Sequence, residues 1–406
     1  MNTRLRTTSA AVLLALAATP VMAVDNVQLN GFMTAGATYT NSKTPWFNDN
    51  IRDEVGFEQD SRVGLQVAAQ INPRMSVTLQ MLGRAREEDF DAYFDWGFVS
   101  YTVSDAWELR AGKIKFPTFL ISDYIEVGYA YPWIRPPQEV YTSNPLTAIA
   151  GADALFRARL GDADLLLQPY VGTSRGQSTV IPQRALEFNA GFDDLDPPQP
   201  RPFPAFGEPG SVEFVDFEAR NLIGINASLN WDHFSVRAGY LSIETSADTL
   251  GVRDEDTSFW SVGGTMDLNN FIGYAEYFER VIEGGANLGF PNQKGYYATL
   301  GYRMGKWLPH ITYAKLDENG SPSTCGDVMA GQFPCGDALM QDSVTVGVRY
   351  ELGAGAALKA EVQRVNPKNR GLFTGYGYVP IDNAGNYGPV NPDNAMIYSV
   401  AIDVVF

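Results

Sequence analysis

The sequence predicts an all-β fold, a transmembrane antiparallel β-barrel of about sixteen strands, and three observations predict it. Segments of strand length alternate apolar and polar residues, and the connections between them alternate between very short and long. Beyond the first 23 residues, no apolar run reaches the roughly 20 residues that a membrane-spanning helix needs. A chain that crosses lipid without such a run has to close a sheet on itself, because lipid offers unpaired N–H and C=O groups no partners.

The amino terminus is set apart first. Arg4 and Arg6 precede an apolar stretch over residues 10–18, and Val21-Met22-Ala23 supplies small residues where a signal peptidase cuts. Residues 1–23 are therefore expected to be a cleaved signal peptide, and residues 24–406 a single barrel domain beginning near Val27, with no room for a plug domain ahead of it. Taking Arg4 and Arg6 from the 30 basic residues leaves 28 against 47 acidic ones. So acidic a chain argues against nucleic acid as a partner.

The clearest strands occupy residues 61–71, 343–352 and 396–406. In the first, Val63, Leu65, Val67, Ala69 and Ile71 share one face, with Arg62, Gln66, Ala68 and Gln70 on the other. In the second, Val344, Val346, Val348, Tyr350 and Leu352 face away from Ser343, Thr345, Gly347, Arg349 and Glu351. The last alternates Met396, Tyr398, Val400, Ile402, Val404 and Phe406 with Ser399, Ala401 and Asp403. Alternation of this kind also suits a soluble sandwich; connection length separates the two.

Short turns fall at residues 72–74, 104–106, 161–163, 231–233, 269–270, 305–306 and 353–355. Long polar connections fall at about 41–60, 85–92, 116–150, 172–219, 245–256, 281–294, 316–342 and 366–395. Seven turns and eight long connections require sixteen strands, and the asymmetry is that of a barrel with short periplasmic turns and long extracellular loops. Trp107, Trp231 and Trp307 all lie at the short-turn end, where they would form an interfacial girdle. Sixteen strands leave an aqueous lumen.

Charge within the strands follows the polar face. Arg62, Arg84, Arg110, Arg157 and Arg159, together with Arg237, Arg303, Arg349 and Lys359, fall on the lumen side of the alternation, where they avoid the cost of a charge in lipid. The connection over residues 116–150 carries Asp123, Glu126 and Glu139 with Arg135 as its base, among the aromatic residues Tyr124, Tyr129, Tyr131, Trp133 and Tyr141. A basic wall facing an acidic loop would set a field across a pore. The plainer alternative is that these charges are solvated or paired with Glu276, Glu351 or Glu361. Two histidines, His233 and His310, both map near the short-turn end, so no nucleophile and base can be placed together and no enzyme is expected. No cofactor and no dedicated metal site are implied.

Ser61-Arg62-Val63-Gly64-Leu65, Leu109-Arg110-Ala111-Gly112-Lys113 and the terminal Phe406 resemble sequences of the sixteen-stranded Gram-negative porin superfamily, the first at its second strand and the second at the strand leading into its third loop. The acidic Pro-Glu-Phe-Gly-Gly type signature of the enterobacterial third loop is absent. The resemblance implies an integral outer-membrane channel for passive diffusion of ions and small hydrophilic solutes, with residues 116–150 folded into the lumen as the third loop. The alternative it leaves is an uptake channel selective for an anion or small organic acid. It also implies contact with outer-membrane lipid and lipopolysaccharide, a homotrimer, and recognition of Phe406 by the barrel assembly machinery. Cys325 and Cys335 lie in one long connection of a chain that folds in an oxidising compartment, and are expected to be disulfide-bonded.

Deleting Phe406, or replacing it with a charged residue, is expected to lower the amount of barrel in the outer membrane without changing the conductance of barrels that do assemble. Quantitative surface labelling checks this, and normal surface levels of the deletion variant would refute the assembly role.

Overall fold

The computed structural model describes residues 27–42, 51, 53–86, 89–144, 146–181, 193, 197–198, 213–247, 252–283, 292–319, 340–367, 378–380, 387–389 and 394–406. The expected signal peptide, residues 1–23, and both Cys325 and Cys335 lie outside them. The strands are β1 (Val27–Thr40), β2 (Arg62–Asn72), β3 (Met75–Arg86), β4 (Asp89–Thr102), β5 (Trp107–Lys115), β6 (Ala148–Leu160), β7 (Ala163–Ile181), β8 (Glu213–Asn230) and β9 (Phe234–Ala247). They continue with β10 (Val252–Leu268), β11 (Phe271–Ile282), β12 (Asn292–Tyr302), β13 (Trp307–Asn319), β14 (Met340–Gly353), β15 (Ala356–Pro367), β16 (Tyr378–Pro380), β17 (Tyr387–Pro389) and β18 (Ala395–Val405).

Sixteen of these form one closed antiparallel barrel, each pairing with its neighbour in sequence, while β16 and β17 make a separate ribbon. The barrel closes between first and last strands, with Ala35 opposite Ile402. Phe406 seals that seam. Its N–H donates to the Gly31 carbonyl (2.9 Å) and its carbonyl accepts from the Gly31 N–H (2.7 Å). The Phe406 ring lies where a Cβ on residue 31 would stand, within 2.3 Å, so only glycine lets the terminal aromatic cover the first strand.

Exposure inverts the soluble pattern. Val63, Val346 and Val400 are 41%, 55% and 52% exposed, while the polar residues that alternate with them, Arg62, Thr345 and Ser399, are buried. The apolar faces thus turn to lipid and the polar faces inward. Trp107, Trp231 and Trp307 are outward and exposed at the short-turn end; Trp107 packs on Phe156 and Trp307 on Tyr350, with ring centroids 4.7 and 4.5 Å apart. All seven short turns fall where the sequence places them. Gly161 and Gly355 in two of them have φ of 63° and 78°, values that suit glycine.

The long connections are corrected in three places, one of them residues 245–256, where β9 reaches Ala247 and β10 begins at Val252. Residues 85–92 are not a loop, since β3 reaches Arg86 and β4 begins at Asp89. Residues 172–219 are partly strand, with β7 and β8 paired out to Ile181 opposite Glu213. Beyond the lipid both faces of a strand are wet, so side-chain alternation fades while the backbone ladder goes on.

Val346 sits at the middle of β14, opposite Ile311 and Val362. Val346→Arg is expected to destabilise the barrel by about 2 to 4 kcal/mol in lipid vesicles, measured by denaturant unfolding; a value near zero would mean this face does not meet lipid.

Candidate channel constriction

Between β5 and β6 the chain leaves the sheet over residues 116–147, forming two short 3-10 turns, Ser122–Tyr124 and Gly128–Ala130, and one helical turn, Gln138–Tyr141. Backbone groups taken off a ladder and buried need other partners. Here inward-facing side chains of the barrel supply them. Asn226 Nδ2 donates to the Pro117 carbonyl (2.7 Å), Ser261 Oγ to that of Thr118 (2.7 Å) and Arg62 Nε to that of Glu126 (2.8 Å). Lys359 Nζ donates to the carbonyls of Gly128 (2.7 Å) and Trp133 (2.6 Å), and Arg349 to those of Tyr129 (2.5 Å) and Tyr131 (3.2 Å). Two carboxylates accept instead: Glu276 from the Leu120 N–H (2.7 Å) and Glu361 from the Ile134 N–H (2.8 Å).

The loop's aromatic side chains pack on the same wall. Phe119 meets Phe259 and Phe278 edge-on at 5.3 and 5.8 Å between centroids. Trp133 stands perpendicular to Tyr297 (5.7 Å, 89°), and its Nε1 donates to Thr299 (3.1 Å) and Thr312 (2.9 Å). Phe119, Tyr131, Trp133, Phe278 and Tyr297 belong to one buried apolar cluster. The aromatic content that is anomalous for a solvent loop is therefore a core built inside the barrel.

Gly128 marks the closest approach. A Cβ there would come within 2.2 Å of Asp403 Oδ1 and 2.8 Å of Thr34 Oγ1. Asp403 is held by Thr34 Oγ1 (2.6 Å) and Lys359 Nζ (2.8 Å), the same lysine that binds the loop.

The candidate charges divide into three groups. Arg62, Arg84 and Glu126 come together: Glu126 lies 4.0 Å from Arg62, 3.5 Å from Arg84 and 3.8 Å from Lys115. Burial pushes the Glu126 carboxyl up, but Arg84, Lys115 and Arg62 together outweigh it and hold it down at about 2. Close by in the lumen, Arg110 makes a two-pronged pair with Asp153, and Asp123 pairs with Arg237 at 2.9 Å.

The second group anchors the loop and faces away from the passage. Arg135 binds Asp60 (2.6 Å) and Ser399 (2.7 Å). Glu139 is fully buried on the helical turn, where Gln341 donates to it at 2.8 Å and burial pushes its carboxyl up. The third group is remote. Arg157 and Arg159 pair with Glu108 (3.0 Å) and Asp164 (3.9 Å) near the short-turn rim, and the structure does not bring them to the loop.

Three participants escape the sequence pattern. Lys115 lies where β5 leaves the sheet, five residues from Arg110, so strict alternation puts it on the wrong face. Asp95, its partner at 3.1 Å, sits on a bulge where the β3–β4 register shifts. Asp60 belongs to a second connection, residues 53–61, whose Gly56 pairs with Thr38; nearby, Ile51 is buried against Val365, Ala395 and Ile397. The one sequence signal for Asp60 is its position, an acid two residues before the lumen arginine Arg62.

Comparison with known proteins fits this geometry. A family model described as Gram-negative porin matches residues 199–370. No curated protein sequence matches the chain. Among solved structures, the anion-selective porin from Comamonas acidovorans superposes with a TM-score of 0.56 at 12% identity, covering 94% of this chain and 99% of that one. The OmpF of Salmonella typhi, solved in complex with daunomycin, gives 0.54 at 13% identity, covering 94% and 97%. OmpT, an outer-membrane protein of Vibrio cholerae solved in a trimer form, gives 0.52 at 11%, covering 94% and 99%.

Because the Glu126 value is depressed, its ion pairs contribute fully above the ordinary carboxyl value of 4.5 and are lost as pH falls toward about 2. Amide exchange of residues 126–131 is expected to be slow and flat above pH 4.5, after correction for intrinsic rates, and to lose protection below it. Glu126→Gln should weaken protection at neutral pH and flatten that acid limb. An acid limb unchanged in the variant would assign the effect elsewhere.

Proposed function

We propose that this chain, a Gram-negative outer-membrane porin by the match over residues 199–370 and by its whole fold, conducts ions and small hydrophilic solutes passively through a neck between the 116–147 loop and the β2–β6 wall. It is an integral outer-membrane channel. The observation that carries the proposed neck is the convergence of Arg62, Arg84 and Lys115 on Glu126. That contact fixes where the loop meets the wall, and the partly exposed Arg84 and Asp123 beside it border the narrow aqueous path, where a low-dielectric surround focuses the field.

Around the neck, Arg62, Arg84, Arg110, Lys115 and Arg237 stand against Asp91, Asp95, Asp123, Glu126 and Asp153. The balance favours a channel open to both ion signs. The second reading, uptake of an anion or small organic acid, has its support in the anion-selective Comamonas acidovorans neighbour. We extend the proposal to a leader at residues 1–23, a Cys325–Cys335 disulfide, and a homotrimer, the last supported by the trimer form of the Vibrio cholerae neighbour.

Reversal potentials of single channels in a salt gradient test the neck. Arg84→Glu and Arg110→Glu should shift selectivity toward cations, and Asp123→Arg toward anions. Arg159→Glu at the rim should do less, and its effect should fade in high salt because exposed charges are screened within about 10 Å at 0.1 M ionic strength. Unchanged selectivity in the neck variants at every salt concentration would displace the constriction from this loop.

A further inference from the structure

We propose that the β3–β5 wall of the passage is a binding track for aromatic carboxylates, a conclusion that rests on the channel reading and names its preferred solute class. Tyr93, Trp96 and Phe98 of β4 face the lumen, since each stands opposite an inward residue: Tyr93 opposite Leu82, Trp96 opposite Gln80, and Phe98 opposite Thr78 and Gly112. Gln80 binds the inward Asp95 and Arg110 binds the inward Asp153. β4 descends from Asp89 at the loop end to Thr102 at the short-turn end, so the three rings follow one another down the passage. Trp96 and Phe98 stack at 5.6 Å with 13° between planes, and the Arg110 guanidinium lies 4.8 Å above the Phe98 ring.

Two features show that this is a built surface. Tyr131, Trp133, Phe278 and Tyr297 are buried under the loop or within its core, whereas Tyr93 is 41% exposed, Trp96 is half-buried and Phe98 is half-buried at the edge of that core. The bulge between Gln80 and Met81 on the β3–β4 ladder is the second. It sends both Asp95 and Trp96 inward, giving Asp95 to Lys115 and adding Trp96 to the line of rings, the re-aiming that bulges provide.

Cations cap the line. Arg84, opposite Asp91, stands toward the outer end, and Arg110, opposite Ser100, toward the inner end. Of the acids beside them, Asp95 is engaged by Lys115 and Gln80, Asp153 by Arg110 and Gln168, and Glu126 by three cations, while Asp91 lies exposed opposite Arg84. A solute with a flat ring and a carboxylate finds a π-surface to slide along and guanidinium groups at either end. A saturated acid finds only the charge, and an aromatic cation meets repulsion at both ends.

The test uses the intact channel in planar bilayers in potassium chloride, with benzoate, cyclohexanecarboxylate and benzylammonium as probes. Benzoate is expected to interrupt the current, with dwell times several-fold longer than those of cyclohexanecarboxylate, and benzylammonium to do so least. Trp96→Leu and Phe98→Leu should each shorten the benzoate dwell by about two- to tenfold, Trp96→Tyr should restore most of it, and Phe234→Leu on the lipid face should leave it alone. Equal block by the saturated acid, block by benzylammonium as strong as by benzoate, or dwell times indifferent to both leucine variants would each overturn the track. A conducting channel that benzoate never blocks overturns this inference alone; a chain that conducts nothing overturns the channel reading beneath it.

Discussion

Closing sixteen strands edge to edge removes every unpaired ladder group from lipid, and the same closure encloses a space wider than wall side chains can fill. That constraint governs the interior. Polar and charged residues forced inward by the lipid on their other side need partners, and the wall cannot give them all. The loop over residues 116–147 meets the need by offering carbonyls to Arg62, Arg349 and Lys359 and N–H groups to Glu276 and Glu361.

The barrel therefore has two unlike inner walls. From β8 round through β15 and β18, the loop lies against the sheet with an apolar core between them, and breaking one of its buried pairs, such as Lys359 with Asp403, would leave an uncompensated charge costing about 3 to 5 kcal/mol. On the β3–β6 side the rings and guanidinium groups remain partly exposed and border water. Asp60 adds a further anchor on the packed side, since it reaches Arg135 on the loop from the connection that precedes β2. Selectivity and rigidity thus have one origin, with the charges that hold the loop standing next to those that face the passage.

Strand positions were legible because two physical signals agree there. Lipid on one side and polar surroundings on the other enforce the period of two, and tight turns demand their own residues, so β2 and β18 begin one residue from their expected starts. Outside the lipid the first signal vanishes, which is why the pairing of Ile181 with Glu213 was hidden within a stretch that looks like loop. Within the candidate site, alternation placed Arg62, Arg84 and Arg110 on the inner face but carries no information on depth. Arg157 and Arg159 share that face and end at the rim. Glu139 shares a loop with Glu126 and ends in a dry core, because which way a loop carboxylate turns is fixed by packing against distant strands. Lys115 and Asp95 act through a strand end and a bulge, the two places where a period of two breaks.

The central claim, that the 116–147 loop lines the conducting path, is tested most directly by attaching charge to it in a working channel. Asp123 is half-exposed beside Arg237, so an Asp123→Cys channel in a planar bilayer offers one reactive position at the neck. Adding an anionic methanethiosulfonate reagent should lower single-channel conductance in one discrete step per channel and shift reversal potential toward cations, while the same reagent on Asp193→Cys in the outer connection should do neither. A labelled Asp123→Cys channel with unchanged conductance and selectivity would place the loop away from the ion path and contradict the account.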